Sequence, residues 1–284
     1  MTIEVRPAAG GIAAEIRGAD LARQEDFAPV HRAFLDHGVI VVRDQPLSPE
    51  AQIAFSGRFG PLMGRRPSMS DKALMPGHPE IVILSNRKKN GDYVGLSDAG
   101  RYWHADLCFE ENPNLGTVLH AVEIPPEGGD TLFADLERAY ATLPDALKQR
   151  IEGRRAAHTF RKHYEEVMAQ GSKRAPLTPA QVAALKTTYH PIVRTHPDTG
   201  RKALFVNPGH TTCVEGMDET ESRELLDALY AHSLNPDNIY RHEWRVGDTV
   251  AWDNRRIMHK AEPYDKDRYT RHVHRTSIHG DRPV

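Results

Sequence analysis

Gly116-Thr117-Val118-Leu119-His120-Ala121-Val122, then Ile124-Pro125-Pro126-Glu127-Gly128-Gly129, then Asp130-Thr131-Leu132-Phe133-Ala134-Asp135, is the stretch that decides the fold class. Two runs of strand length, rich in β-branched and aliphatic residues, flank a turn made of proline and glycine. The same grammar recurs along the chain. Residues 3–5, 12–16, 81–84 and 249–252 form short strands, and Val39-Ile40-Val41-Val42 is apolar throughout, as a strand buried on both faces would be. Residues 192–196 and 202–206 flank Pro197-Asp198-Thr199-Gly200, a hairpin signal. Helical spacing is confined to a few segments: 26–37 with Gly38 as its stop, 51–59 opened by Ser48-Pro49-Glu50, 136–152, and 219–232. Many short strands with Gly/Pro turns predict a mainly β sandwich or barrel with flanking helices.

The 284 residues suit one domain, 1–284, with a lid or substrate loop at 62–101 and an insertion at 154–187. A formal net charge of −2 provides no basic field to hold a polyanion, so nucleic acid is not expected as a partner. No apolar run approaches the roughly 20 residues that cross a bilayer, and the first residues lack the pattern of a secretory signal. A cytoplasmic protein with no membrane partner is the expectation. Cys108 and Cys213 are too few for a disulfide framework and are expected to be buried thiols. Neither a Gly-rich phosphate loop nor a Gly-X-Ser-X-Gly elbow is present.

Upstream of the first run stands Tyr102-Trp103-His104-Ala105-Asp106. If this segment is a strand and its exit, His104 and Asp106 share one face and offer a nitrogen and an oxygen to one point. His-X-Asp alone is weak, and a surface histidine beside a solvated aspartate explains it as well. Far downstream, Trp252-Asp253-Asn254-Arg255-Arg256-Ile257-Met258-His259 leads from a strand through a polar turn to another histidine. Two imidazoles and one carboxylate can occupy one face of an octahedron and leave three positions open, which suits a non-haem ferrous ion. After His259, Arg271, Val273 and Arg275 share one strand face, and His272 and His274 the other. A guanidinium turned into a barrel requires an anion, and its planar fork matches a carboxylate or sulfonate.

The ordered set Trp103-His104-Ala105-Asp106, Gly128-Gly129-Asp130-Thr131, Trp252-Asp253-Asn254-Arg255 to His259, and Arg271 to Arg275 resembles the taurine dioxygenase family of Fe(II)/2-oxoglutarate-dependent oxygenases. The aryloxyalkanoate branch looks nearest, and the likeness extends over nearly the whole chain. It implies a double-stranded β-helix (jelly-roll) core, Fe(II) held by His104, Asp106 and His259, and O2 and 2-oxoglutarate as co-substrates. Thr131 and Arg271 match the positions that bind the distal carboxylate of 2-oxoglutarate, and Arg275 matches an arginine near the substrate anion. The interval from His259 to Arg271 is one residue longer than in those relatives, which leaves the roles of the two arginines exchangeable. The implied substrate is a small organic anion (an aryloxyalkanoate, sulfonate or alkyl sulfate), with Arg101 and Tyr102 as further contacts. An asparagine that taurine-type relatives carry before the His-X-Asp pair has no counterpart in Gly100-Arg101-Tyr102, a departure from taurine itself. The likeness also implies a homo-oligomer, a dimer or tetramer. Two other classes stay open: a zinc hydrolase built on the same ligands, and a jelly-roll anion-binding protein without turnover.

Overall fold

Val39 and Val41 face one way and Ile40 and Val42 the other, and all four are buried. Their strand, Val39–Val42, lies inside an eight-stranded sheet of order Glu4–Pro7, Ala13–Arg17, Val39–Val42, Thr249–Asp253, Asn114–Glu123, His272–His279, His78–Ser85 and Leu74–Met75. All pairings are antiparallel except that of Ala13–Arg17 with Val39–Val42. This computed structural model describes residues 2–8, 10–64, 73–97, 99–169 and 176–284. Residues 65–72 and 98 of the expected substrate loop, and 170–175 of the expected insertion, lie outside the described residues.

Both faces of the large sheet are covered, and strand alternation divides its side chains between two cores. Ile40, Val42, Val118, Ala251 and Ile278 pack with Val30, Phe34 and Phe55 from the helices Phe27–His37 and Pro49–Gly57. Burying each large apolar side chain contributes about 1.5–3 kcal/mol, so Phe34 and Phe55 anchor these helices. Val39, Val41, Leu119, Val250, Trp252 and Val273 turn the other way and meet Phe133, Trp244 and Ile257.

Phe133 and Ile257 belong to a second, three-stranded antiparallel sheet of order Ile239–His242, Thr131–Asp135, Ile257–Ala261. The space between the sheets is therefore apolar at its centre, and the functional side chains lie along its margin. On the outer side of the small sheet, Ala134 and Met258 join Leu136, Leu225 and Leu229 from the helices Leu136–Ala141 and Glu219–Ser233.

The described structure is mainly β with flanking helices, as expected. Two local expectations, a helix and a cysteine, need correction, and the segment 154–187 has more regular structure than its sequence suggested. The helix expected over 136–152 is two helices, Leu136–Ala141 and Asp145–Ile151, because Pro144 lacks a backbone donor and restricts the residue before it. The segment expected as an insertion at 154–187 opens with a strand, Arg155–Thr159, paired with Thr187–Pro191 and Thr211–Val214 and followed by the helix Phe160–Ala169. Cys108 is buried, but Cys213 is only half-buried. Among the described residues no helix is long and apolar enough to cross a membrane.

Candidate metal centre

His104 and His259 are far apart in sequence, yet they form a single rung of antiparallel backbone pairing. His104 N donates to His259 O at 3.1 Å and His259 N donates to His104 O at 2.8 Å. Directly opposed residues in an antiparallel pair send their side chains to the same face, so the rung aims both imidazoles one way. Asp106 joins them by a different route from the expected one. The chain leaves the rung at once into a turn, with Leu107 in the left-handed region at φ 54°. It is this turn that brings the carboxylate round, and Ala105 goes into a small apolar pocket with Cys108 and Phe205. One potential ligand atom from each of His104, Asp106 and His259 lies within 4.8 Å of the others, and all three residues are buried.

Hydrogen bonds fix the donor atoms. The Nδ1 of His104 lies 2.8 Å from Tyr102 O. A carbonyl can only accept, so the ring proton sits on Nδ1 and the lone pair of Nε2 faces the cluster. Asp106 Oδ2 accepts from Thr117 Oγ1 at 2.7 Å, and Thr117 Oγ1 accepts from Asn254 Nδ2 at 3.1 Å. Asn254 Oδ1 accepts from the backbone N of Asp106 and from Trp252 Nε1. Asp106 Oδ1 is left 3.7 Å from His104 Nε2 and 3.7 Å from Arg275 Nη1, too far for a hydrogen bond to either. The ring of His259 packs on Trp252 and His104, and among the described residues its buried Nδ1 has no hydrogen-bond partner.

The charge states suit metal binding. Burial lowers His104 and pushes His259 down to about 3, so both imidazoles are neutral near pH 7. Burial alone would raise the Asp106 carboxyl, but His259, Arg275, His104 and the Thr117 hydroxyl outweigh it and hold it well below the ordinary carboxylate range. Two neutral nitrogens and one anionic oxygen form a donor set that fits a divalent first-row ion.

The small sheet continues toward a second polar locus. His259 pairs with Phe133 and Ala261 with Thr131, so Thr131 lies two residues along the same face, about 7 Å away at strand rise. Its Oγ1 accepts from Trp244 Nε1 at 2.9 Å, and the Arg271 guanidinium sits 5.6 Å from the centre of the Trp244 ring. Arg271 is buried, its Nε has no partner, and burial pushes it down to about 10, still charged at neutral pH. Asn86 holds the adjoining backbone, its Oδ1 accepting from Arg271 N and its Nδ2 donating to the carbonyls of Lys266 and Tyr269. Gly129 has φ 74°, and a Cβ there would press on Pro125 Cγ at 3.1 Å, which explains the glycine beside Asp130-Thr131.

The structure therefore separates the two arginines: Arg271 stands with Thr131 and Arg275 beside Asp106. Tyr102 packs its ring on His104 at 4.6 Å and on His163 at 3.9 Å, and its hydroxyl meets His210 Nε2 at 3.2 Å. Arg101 is exposed and lines the cavity that contains Arg271. Sequence reasoning missed Thr117, Asn254, Asn86, Trp244, His163 and His210. Asn254 was visible inside the quoted Trp-Asp-Asn run, whereas the others carry no local signal.

Two facing sheets with a buried cluster of two histidines and one carboxylate define the class: a mainly β protein with a candidate metal centre between its sheets. The family model described as taurine catabolism dioxygenase TauD, TfdA family matches residues 4–277, and the chain belongs to that family. An α-ketoglutarate-dependent 2,4-dichlorophenoxyacetate dioxygenase of Cupriavidus pinatubonensis is 34% identical over 276 residues, covering 93% of this chain and 94% of the relative. The crystal structure of a taurine dioxygenase from Burkholderia xenovorans superposes with a TM-score of 0.80 at 32% identity, covering 100% of this chain and 93% of the other. AAD-2 in complex with Mn(II) and N-oxalylglycine superposes with a TM-score of 0.81 at 28% identity, covering 100% and 99%. The chain is thus an enzyme of the α-ketoglutarate-dependent dioxygenase type, and the hydrolase and binding-protein alternatives give way.

Proposed function

We propose that this enzyme uses Fe(II), held by His104, Asp106 and His259, to hydroxylate a small organic anion while converting 2-oxoglutarate and O2 to succinate and CO2. The observation that carries the reading is the buried Arg271, which among the described residues has no counter-ion and stands beside Thr131, itself on the sheet face that carries His259. A buried charge without a counter-ion is costly, and an anionic ligand relieves that cost. Thr131 and Arg271 would take the distal carboxylate of the keto acid, and Arg275, beside Asp106, would face the substrate anion. When bound, the ferrous ion supplies the oxidising chemistry that couples keto acid decarboxylation to insertion of one oxygen atom into a substrate C–H bond.

The protein's own work is positioning. Tyr102 O sets the tautomer of His104, Thr117 fixes the rotamer of Asp106, and the backbone rung fixes the spacing of the two imidazoles. Of the substrate classes, an aryloxyalkanoate suits the surroundings better than taurine. Phe109 and Phe160 lie 5.3 Å apart, and His210 lies within ring contact of both, providing aromatic surface next to Tyr102. Two facing sheets, one eight-stranded and one three-stranded, support a double-stranded β-helix core within a single domain, 1–284. The same reading carries a homo-oligomer, which light scattering in solution would test.

Anaerobic titration with Fe(II) and 2-oxoglutarate, followed by oxygen, tests the activity. A weak visible charge-transfer band that is lost in His104→Ala and His259→Ala is expected, with succinate release accelerated by one member of a panel of aryloxyalkanoates, sulfonates and alkyl sulfates. A folded protein that gives neither band nor succinate would sink the reading.

A further inference from the structure

The cavity that contains Arg271 is also lined by Ser97, Arg101, Glu262, Tyr264 and Lys266. Part of its wall is formed by Leu96, Ser97, Ala99 and Arg101, and the described residues here are fastened at several points. Leu96 exchanges backbone hydrogen bonds with Ile83 and Ser85, Ser97 O accepts from Lys266 Nζ, and Gly100 O accepts from Ala261 N at 2.7 Å. A Cβ at Gly95 would lie 2.4 Å from Ile83 O, so this segment presses directly on the neighbouring strand. Arg101 is thus held between Gly100, tied to Ala261, and Tyr102, tied to His104. Its position is set by backbone on both sides.

Arg101 and Arg271 both line this cavity, and among the described lining residues the acid is Glu262, whose carboxylate is engaged by Lys260 at 3.0 Å and Arg241 at 3.6 Å. Among the described residues neither Arg101 nor Arg271 forms an ion pair. Two guanidinium groups that line one cavity both favour an anion that enters it. Arg275, by contrast, stands at Asp106, so Arg101 is grouped with the keto acid end of the site and away from the substrate anion.

We propose that Arg101 is a specificity residue for the co-substrate: with Arg271 it forms a two-guanidinium port that draws in and retains the distal carboxylate of a short dicarboxylic keto acid. This rests on the keto acid reading above. The port would distinguish keto acids with a second carboxylate from those without one, because a monocarboxylate leaves Arg101 with nothing to bind.

The test is binding without turnover. Fe(II)-loaded protein, kept free of oxygen, is mixed with 2-oxoglutarate or 2-oxobutyrate in a stopped-flow instrument and followed by tryptophan fluorescence, with calorimetry for the affinity. Arg101→Gln should slow association and weaken 2-oxoglutarate binding by about three- to tenfold at low salt, and flatten its dependence on ionic strength. Binding of 2-oxobutyrate should not change, and Arg101→Lys should restore most of the association rate. Unchanged 2-oxoglutarate binding in Arg101→Gln, or an equal loss for both keto acids, overturns the port. If the wild-type protein binds neither keto acid, the keto acid reading itself fails and takes the port with it.

Discussion

Buried arginines in this enzyme are treated in two opposite ways. Arg255 is closed off by protein: its Nε and Nη2 reach the two oxygens of Asp253 at 2.8 and 2.7 Å, and its Nη1 reaches Asp198 at 2.7 Å. Asp253 also accepts from His196 Nε2 at 2.9 Å, and Arg256 is paired with Asp135 and Glu137. Arg271 is also buried, and among the described residues no carboxylate pairs with it. A paired buried charge belongs to the architecture, whereas an unpaired one records a partner that arrives from outside.

Breaking the closed side should have the largest effect on folding. Asp253→Asn leaves Arg255 buried with half its partners, and a loss of about 3–5 kcal/mol is expected in denaturant unfolding. Arg271→Gln should do the reverse. Affinity for 2-oxoglutarate should fall about 10- to 100-fold, or about 1.4–2.7 kcal/mol, while the unfolding midpoint holds or rises as an uncompensated charge is removed. A midpoint that fell as far as in Asp253→Asn would erase the distinction between the two arginines.

Thr117→Val probes the scaffold of the proposed metal centre. It removes the donor to Asp106 Oδ2, and Fe(II) affinity measured by competition with a chromophoric chelator should drop about tenfold. The smallest effect is on acid stability. Burial opposes ionisation of Asp253, but Arg255 and His196 more than offset it and hold the carboxyl far below its ordinary value near 3.9. Its contribution is complete above about pH 4 and is lost as pH falls toward the folded-state value. Wild type should lose about 1 kcal/mol from this group between pH 5 and pH 3, and Asp253→Asn should lack that component. Equal slopes in the two proteins would show that the knot around Asp253 is not what titrates.

How much of this was legible in the sequence varies with the range of the interaction. The strands announced themselves by composition, and Val39-Ile40-Val41-Val42 correctly signalled burial on both faces. Strand Arg155–Thr159 did not, because Arg-Ala-Ala-His-Thr neither alternates nor is rich in β-branched residues. The break before Asp145 was there to be read in Pro144, and helical periodicity overrode it. The three candidate ligands were legible from motif order, although strand alternation was the wrong reason for Asp106, which is delivered by a turn. Thr117, Asn86 and Trp244 were not legible, since their roles depend on which strand lies opposite. Arg101 was expected as a contact for the primary substrate, and only the lining of the cavity shows which arginine shares it.

The backbone rung between His104 and His259 acts as a weld joining two distant segments at one point. The spacing of the imidazoles is set there, locally, and not by the length of chain between them. Changes in the length of the intervening hairpins and helices therefore need not re-aim the two imidazoles, so long as the rung itself is kept.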